Sequence, residues 1–221
     1  MNAKRRSALK KMIAALSVIL VLLVGVAGTL AYLQVKTGSV QNTFAPSNID
    51  LTLTETATEG GSTTANTYKM IPGVKIDKDP KVTVKADIDC YVFVEVTETT
   101  NFDTYMTYAI ASGWKLFNTT SGAVTEIAAD ADLDGTYVLF REVSADVAKD
   151  GKEFGVLADD QVMVPKTVTK TQMNELYNAD GTVITANQPK LTFTAYAIQK
   201  NGFEDNLLGA WNEAHGQVSG S

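Results

Sequence analysis

The residue types most able to do chemistry are few, and their spacing narrows them further. Asp130-Ala131-Asp132-Leu133-Asp134-Gly135 places carboxylates at alternate positions and ends on glycine. That is how a calcium-binding loop opens, with ligands at positions 1, 3 and 5 and a sharp turn at 6. The twelfth position should be a bidentate Glu; here it is Arg141, with Glu142 one place late. The following Thr136–Val143 reads as a strand rather than a helix. An acidic hairpin tip is therefore the stronger reading of Asp130, Asp132 and Asp134, and calcium the weaker one. His215 is the only histidine and Cys90 the only cysteine. A zinc cluster needs three or four such ligands and a disulfide needs two cysteines, so a single chain supplies neither. His215 lies six residues from the end among Gly, Gln and Ser, which reads as an exposed tail residue rather than a triad base. Cys90 sits in the apolar run Cys90-Tyr91-Val92-Phe93-Val94, which reads as a buried, inert thiol. No catalytic residue is singled out, no cofactor motif occurs, and the chain reads as non-enzymatic.

Three less specific signals remain. Carboxylate pairs for glycoside hydrolysis would need an open cleft with two acids at a fixed separation, and no local context marks such a pair. Trp114, Tyr105, Tyr108 and Trp211 would serve as glycan platforms if exposed, but large aromatics more often fill a sandwich core. Asn118-Thr119-Thr120 matches a glycosylation sequon, a three-residue pattern that also arises by chance.

These residues are carried by a chain of 221 residues with 19 basic and 25 acidic side chains, net charge −6. The charge is unevenly spread. Residues 1–31 hold five basic residues and no acid, so residues 32–221 carry 14 basic against 25 acidic side chains, net −11. That field disfavours nucleic acid and anionic lipid as partners of the folded part.

Residues 1–31 read as a signal peptide. Lys4 to Lys11 is a basic n-region, and Met12 to Val24 an apolar run broken only by Ser17. Ala27, Gly28, Thr29 and Ala31 are small residues suited to a signal peptidase. The expected cut is Ala31–Tyr32. The low-charge stretch from Met12 to Leu33 is also about 22 residues, long enough to span a bilayer, so an uncleaved anchor is the competing reading. Arg5-Arg6 also resembles a twin-arginine signal, against which the strongly apolar core and the missing cofactor site argue.

The remainder reads as strands. Threonine makes up 26 of its 190 residues, a β-branched, polar choice suited to the wet face of a sheet. Ile49, Leu51 and Leu53 alternate with polar neighbours, as do Val82 and Val84, and Leu191, Phe193, Ala195 and Ala197. Cys90–Val96 and Tyr137–Phe140 are apolar on both parities, as expected of central strands covered on two faces. Ile71-Pro72-Gly73 fits a type II turn, and Asp134-Gly135 and Asp180-Gly181 are hairpin dipeptides. Glu59 to Thr64 reads as a flexible tip. Thr169 with Gln172 forms a capping box for a helix running through Met173, Leu176 and Tyr177 to Asn178, and a short helical turn is expected near Asp205–Ala210. The expected fold is all-β: an antiparallel, jelly-roll-like sandwich over residues 45–215 with one or two short helices. It is preceded by an extended segment, 32–44, and followed by a flexible tail, 216–221.

Gly28-Thr29-Leu30-Ala31-Tyr32-Leu33, Val40-Gln41-Asn42-Thr43-Phe44 and Ile49-Asp50-Leu51-Thr52-Leu53-Thr54-Glu55 resemble the start of proteins with the SipW-dependent type of signal peptide. That group includes the camelysin/TasA-type biofilm matrix proteins of Gram-positive bacteria. Ile71-Pro72-Gly73 with Lys78-Asp79-Pro80-Lys81-Val82, and the stretch Thr194-Ala195-Tyr196-Ala197-Ile198-Gln199, resemble further segments of that family; residues 99–160 match it poorly. The resemblance implies a jelly-roll domain, removal of the leader by a dedicated signal peptidase, and assembly into extracellular fibres. It also implies that the new N-terminal segment adds as a strand to the next subunit. Carried onto this sequence, the donor strand is Tyr32–Phe44, with Leu33 and Val35 on one parity and Val40 and Phe44 on the other. Some camelysin-like members are described as metalloproteases, an activity for which this chain lacks the histidines.

The sequence thus leads to a secreted, non-enzymatic subunit or accessory component of an extracellular matrix fibre. Its partners would be its own copies or related matrix subunits, with membrane contact only before cleavage. The alternative is a monomeric secreted or cell-surface module binding a glycan or calcium. A carboxylate-using hydrolase comes third.

Overall fold

The computed structural model describes residues 47–58, 61–128, 131 and 133–218, all within the unit Pro46–Ser221. The period-two stretches form strands. In order they are β1 (Ile49–Thr54), β2 (Lys75–Asp77), β3 (Lys81–Ala86), β4 (Cys90–Glu98), β5 (Lys115–Phe117), β6 (Val124–Glu126), β7 (Thr136–Val143), β8 (Lys152–Gly155), β9 (Gln161–Met163) and β10 (Leu191–Gln199). One sheet has the order β1-β3-β8, the second β10-β4-β7-β5-β6, and β2 pairs with β9 separately. Every pairing is antiparallel. The fold is the all-β antiparallel sandwich that the alternation predicts.

The inter-sheet core follows from one parity of each strand. Val82 and Val84 of β3 meet Val92, Val94 and Val96 of β4, with Leu139 of β7 and Trp114, and all but Trp114 are completely buried. The other parity of β4, Tyr91 and Phe93, belongs to a second core with Phe117, Phe140, Tyr196 and Trp211. This double covering is why β4 is apolar on both parities. A third cluster, around Phe102, Tyr105, Leu157, Val164 and Leu176, closes the end where β2 and β9 lie.

The second core is roofed by a helix that the sequence understated. Four α-helices occur among the described residues: α1 (Phe102–Tyr105), α2 (Ala145–Ala148), α3 (Lys170–Asn174) and α4 (Leu207–Val218). The short turn expected near Asp205–Ala210 is the start of twelve-residue α4, which also runs past the expected start of the tail at 216. Ala210, Trp211 and Ala214 share one helical face and bury it on the aromatic sheet surface, while Asn206 Oδ1 accepts from the Gly209 amide at 2.9 Å. Apolar tertiary contact, not propensity, sustains the helix, since its two glycines disfavour it. Helix α3 has the expected capping box between Thr169 and Gln172 but ends at Asn174, short of the expected Asn178. Beyond it the chain turns to bury Leu176, and Tyr177 bridges to Val183.

The turns at Pro72-Gly73 and Asp180-Gly181 form as expected, the latter closed by the Tyr177–Val183 bridge, whereas Asp134-Gly135 makes no hairpin, because β7 pairs with β4 and β5 and not with the preceding β6. The Val74 amide donates to the Ile71 carbonyl at 3.0 Å with Gly73 at φ +82°, the geometry of a type II turn. At the expected flexible tip, Glu59 and Gly60 lie outside the described residues. Around them Glu55 donates its amide to Thr63 O at 2.9 Å, and Ser62 its amide to Ala65 O at 2.8 Å.

Candidate functional site

Two places in the sandwich could bind something: a sheet-edge seam and an acidic cleft. The seam comes from strand order. Among the described residues, β1 and β10 are edge strands of the two facing sheets, each hydrogen-bonded to one neighbour there, and they run alongside each other. Ile49, Leu51 and Leu53 of β1 and Leu191, Phe193, Ala195 and Ala197 of β10 all pack against the inter-sheet core. Each of these seven is only half-buried. Their counterparts one strand inward, Val82, Val84, Val92, Val94 and Val96, are fully buried. The core is therefore fully buried in its middle and only half-buried along β1 and β10, where a row of apolar side chains lies beside strand edges that no other described strand pairs. Such an edge is a ready template for an added strand.

The cleft, of about 680 Å³, is lined in part by Glu98, Asp103, Tyr108, Trp114, Leu133 and Asp159. Strand pairing sets its acids. The Glu98 amide donates to Gly135 O at 2.9 Å, which brings Asp134 beside Glu98, and Asp103 comes from α1. One carboxylate oxygen from each of Glu98, Asp103 and Asp134 lies within 4.8 Å of the others. Glu98 is buried and accepts from the Tyr108 hydroxyl, which also hydrogen-bonds to the Tyr137 hydroxyl. Burial first, then the neighbouring phenol for Tyr108, pushes both phenols above the ordinary tyrosine range, so they remain neutral donors. The arrangement groups oxygen ligands of the kind a hard cation takes. The carboxylate hydrolase was expected to have a cleft with acids, and a cleft with acids is present.

Of the calcium-loop residues, Asp134 joins this cluster, while Asp130 and Asp132 lie outside the described residues. Arg141, at the loop's twelfth position, is committed elsewhere. Its guanidinium lies 4.8 Å from the Trp114 ring centre and 4.5 Å from that of Phe154, and it donates to Ser112 O at 2.7 Å. Sequence reading missed Glu98 and Asp103, because nothing local marks them and only the β4–β7 register joins them to Asp134.

The remaining candidates fall as follows. Trp211 and Tyr105 are core residues away from the cleft, Trp114 lines the cleft but is itself buried, and Tyr108 is half-buried there. Trp114 also donates its indole N–H to Gly155 O at 2.8 Å. Cys90 is fully buried, and that burial, with Asp89 nearby, pushes its thiol up to about 11; a thiol so protonated is a poor nucleophile. His215 is not the exposed tail residue expected. It is half-buried on α4, its ring 4.8 Å from Trp211 and 5.4 Å from Tyr196, with Nε2 3.9 Å from Glu95. Extending the helix carried it onto the sheet face. Ala31 and Tyr32 of the expected cleavage site, and Leu33, Val35, Val40 and Phe44 of the expected donor strand, lie outside the described residues. No described helix is long and apolar enough to cross a membrane.

Comparison with protein-family models and with curated proteins gives no match.

Proposed function

We propose that this chain is a secreted, non-enzymatic subunit of an extracellular matrix fibre, assembling by addition of its N-terminal segment to the sheet edges of a neighbouring copy. The observation that carries the reading is the half-buried row Leu191, Phe193, Ala195 and Ala197 of β10 facing Ile49, Leu51 and Leu53 of β1. A nine-residue edge strand beside an apolar row offers main-chain hydrogen bonds and alternate side-chain sites to an extended segment. Residues 32–44 supply thirteen residues, enough to run along β10. Leu33 and Val35 share one parity and Val40 and Phe44 the other, with Gly38 marking the break between the two halves. A head-to-tail contact of this kind does not close on itself and gives a filament. The leader, basic and then apolar, would hold the donor at the membrane until cleavage, restricting assembly to the outside of the cell. The resemblance to SipW-dependent, camelysin/TasA-type proteins supports the same reading. The test is direct: residues 32–221 form filaments visible by electron microscopy, and residues 45–221 stay monomeric by size exclusion. Filaments that persist in the shorter chain refute strand donation.

A further inference from the structure

At one end of the seam, and apart from the acidic cleft, one carboxylate holds an amine on one oxygen and a primary amide on the other. Lys78 Nζ donates to Glu55 Oε1 at 2.5 Å. Asn66 Nδ2 donates to Glu55 Oε2 at 3.1 Å. The Lys78 and Glu55 side chains are only 12% and 11% exposed. Lys78 Nζ lies 5.4 Å from the ring centres of both Tyr68 and Phe193, so aromatic faces border the amine.

The Asn66 amide is fixed in its orientation. Its Oδ1 accepts from the Thr58 amide at 2.9 Å and from the Thr58 hydroxyl at 3.1 Å. Its Nδ2 donates also to Thr56 O at 3.1 Å. Two donors on the carbonyl oxygen and two acceptors on the nitrogen leave one consistent assignment. Donors on a carbonyl oxygen are what stabilises the oxyanion when that carbon is attacked.

We infer that Lys78 and Asn66 form an intramolecular isopeptide bond, with Glu55 carrying the proton between them. Glu55 takes a proton from the Lys78 ammonium, leaving a neutral amine. The Nζ lone pair attacks Cγ of Asn66, and the developing charge on Oδ1 is held by the Thr58 N–H and O–H. Glu55 then delivers that proton to Nδ2, the Cγ–Nδ2 bond breaks and ammonia leaves; the remaining extra proton on Nζ passes through Glu55 to the departing ammonia, which becomes ammonium. The new bond is Nζ–Cγ. An ammonium side chain and a carboxamide become a secondary amide and an ammonium ion, so no oxidant, metal or cofactor is required. The shared carboxylate supplies proximity and the proton shuttle together. Tyr68 borders the same group. Burial first, then the charge on Glu55, pushes its phenol up to about 12, so it stays a neutral donor throughout. The bond would tie the loop after β1 to the β2–β3 connection, at the end of the seam where Phe193 lies. It stands whether or not the chain forms fibres.

The experiment is peptide mapping by tandem mass spectrometry of the full chain, expressed and purified beside Lys78→Arg and Glu55→Gln. The expected result is a branched peptide joining the Asn66 and Lys78 segments. Its mass is lower by one ammonia, and trypsin does not cut after Lys78. Both variants give linear peptides of full mass. The wild-type measurement decides the matter even if a variant folds poorly. Linear wild-type peptides with intact Asn66 and Lys78 overturn the bond. So does an ammonia deficit on a linear peptide, as a succinimide at Asn66 would give, and so does Asn66 converted to Asp. A branched peptide that persists in Glu55→Gln overturns the role given to Glu55.

Discussion

The strand-addition reading makes its sharpest claim at Phe44. In the 32–44 segment, Val40, Asn42 and Phe44 share a parity and so recur with the same two-residue period as Leu191, Phe193, Ala195 and Ala197 on β10. The alanines are the small members of that row and are themselves only half-buried, so a donor's larger side chains would cover them. Fully burying a Phe side chain stabilises by about 1.5–3 kcal/mol. Phe44→Ser forfeits that term in the assembled state alone, so the critical concentration for filaments should rise roughly 10- to 150-fold. The assay is sedimentation of residues 32–221 over a concentration series, with electron microscopy of the pellets and a melting curve of the unassembled protein. The expected outcome is a higher critical concentration with an unchanged monomer melting temperature. A critical concentration within about threefold of wild type, a shift below roughly 1 kcal/mol, refutes Phe44 as an anchor. A lowered monomer melting temperature would instead place Phe44 in the subunit's own core.

Two further predictions concern the subunit itself. Trp211 touches Phe93, Phe117 and Tyr196 at ring-centre distances of 5.4, 6.0 and 5.4 Å, so Trp211→Ala should cost about 3–5 kcal/mol of stability. Urea unfolding checks it, and a loss under about 1 kcal/mol would mean that α4 is not pinned by this ring. Burial pushes the Asp79 carboxyl up, but the Thr56 hydroxyl and amide, and then Lys81, outweigh it and hold the group below its ordinary value. A lowered folded value means that the contribution is complete above the unfolded value of about 4 and is lost as pH falls through the folded one. The stability gap between wild type and Asp79→Asn should therefore be open at neutral pH and close in acid. A gap independent of pH would remove Asp79 from the acid response.

The sandwich was legible because strands announce themselves locally. Thr136–Val143 reads as a strand from its residues and is one from end to end, and Cys90–Val96, apolar on both parities, is the doubly covered centre. The capping box at Thr169 and the turn at Pro72-Gly73 were equally plain, since each is decided within four residues. Helix α4 was not. Its glycines and polar neighbours weaken the local signal, and its stability comes from aromatic residues on β4, β7 and β10, more than a hundred positions away in part. His215 was misplaced for the same reason, since a residue's exposure follows from what its element packs on.

The sequence by itself determined the alternation that makes this chain a sandwich, the shortage of histidine and cysteine, and the acidic balance beyond residue 31. All three depend on residue type and short spacing, which the chain carries without folding. Only the tertiary structure decided which strands end up at the edges. It also decided that Glu98, Asp103 and Asp134 share a cleft, and that Glu55 holds Lys78 and Asn66 on its two oxygens. These groupings join residues from different strands, helices and loops, and no local pattern encodes them. They come into being when sheet register and loop hydrogen bonds bring distant side chains to hydrogen-bonding range.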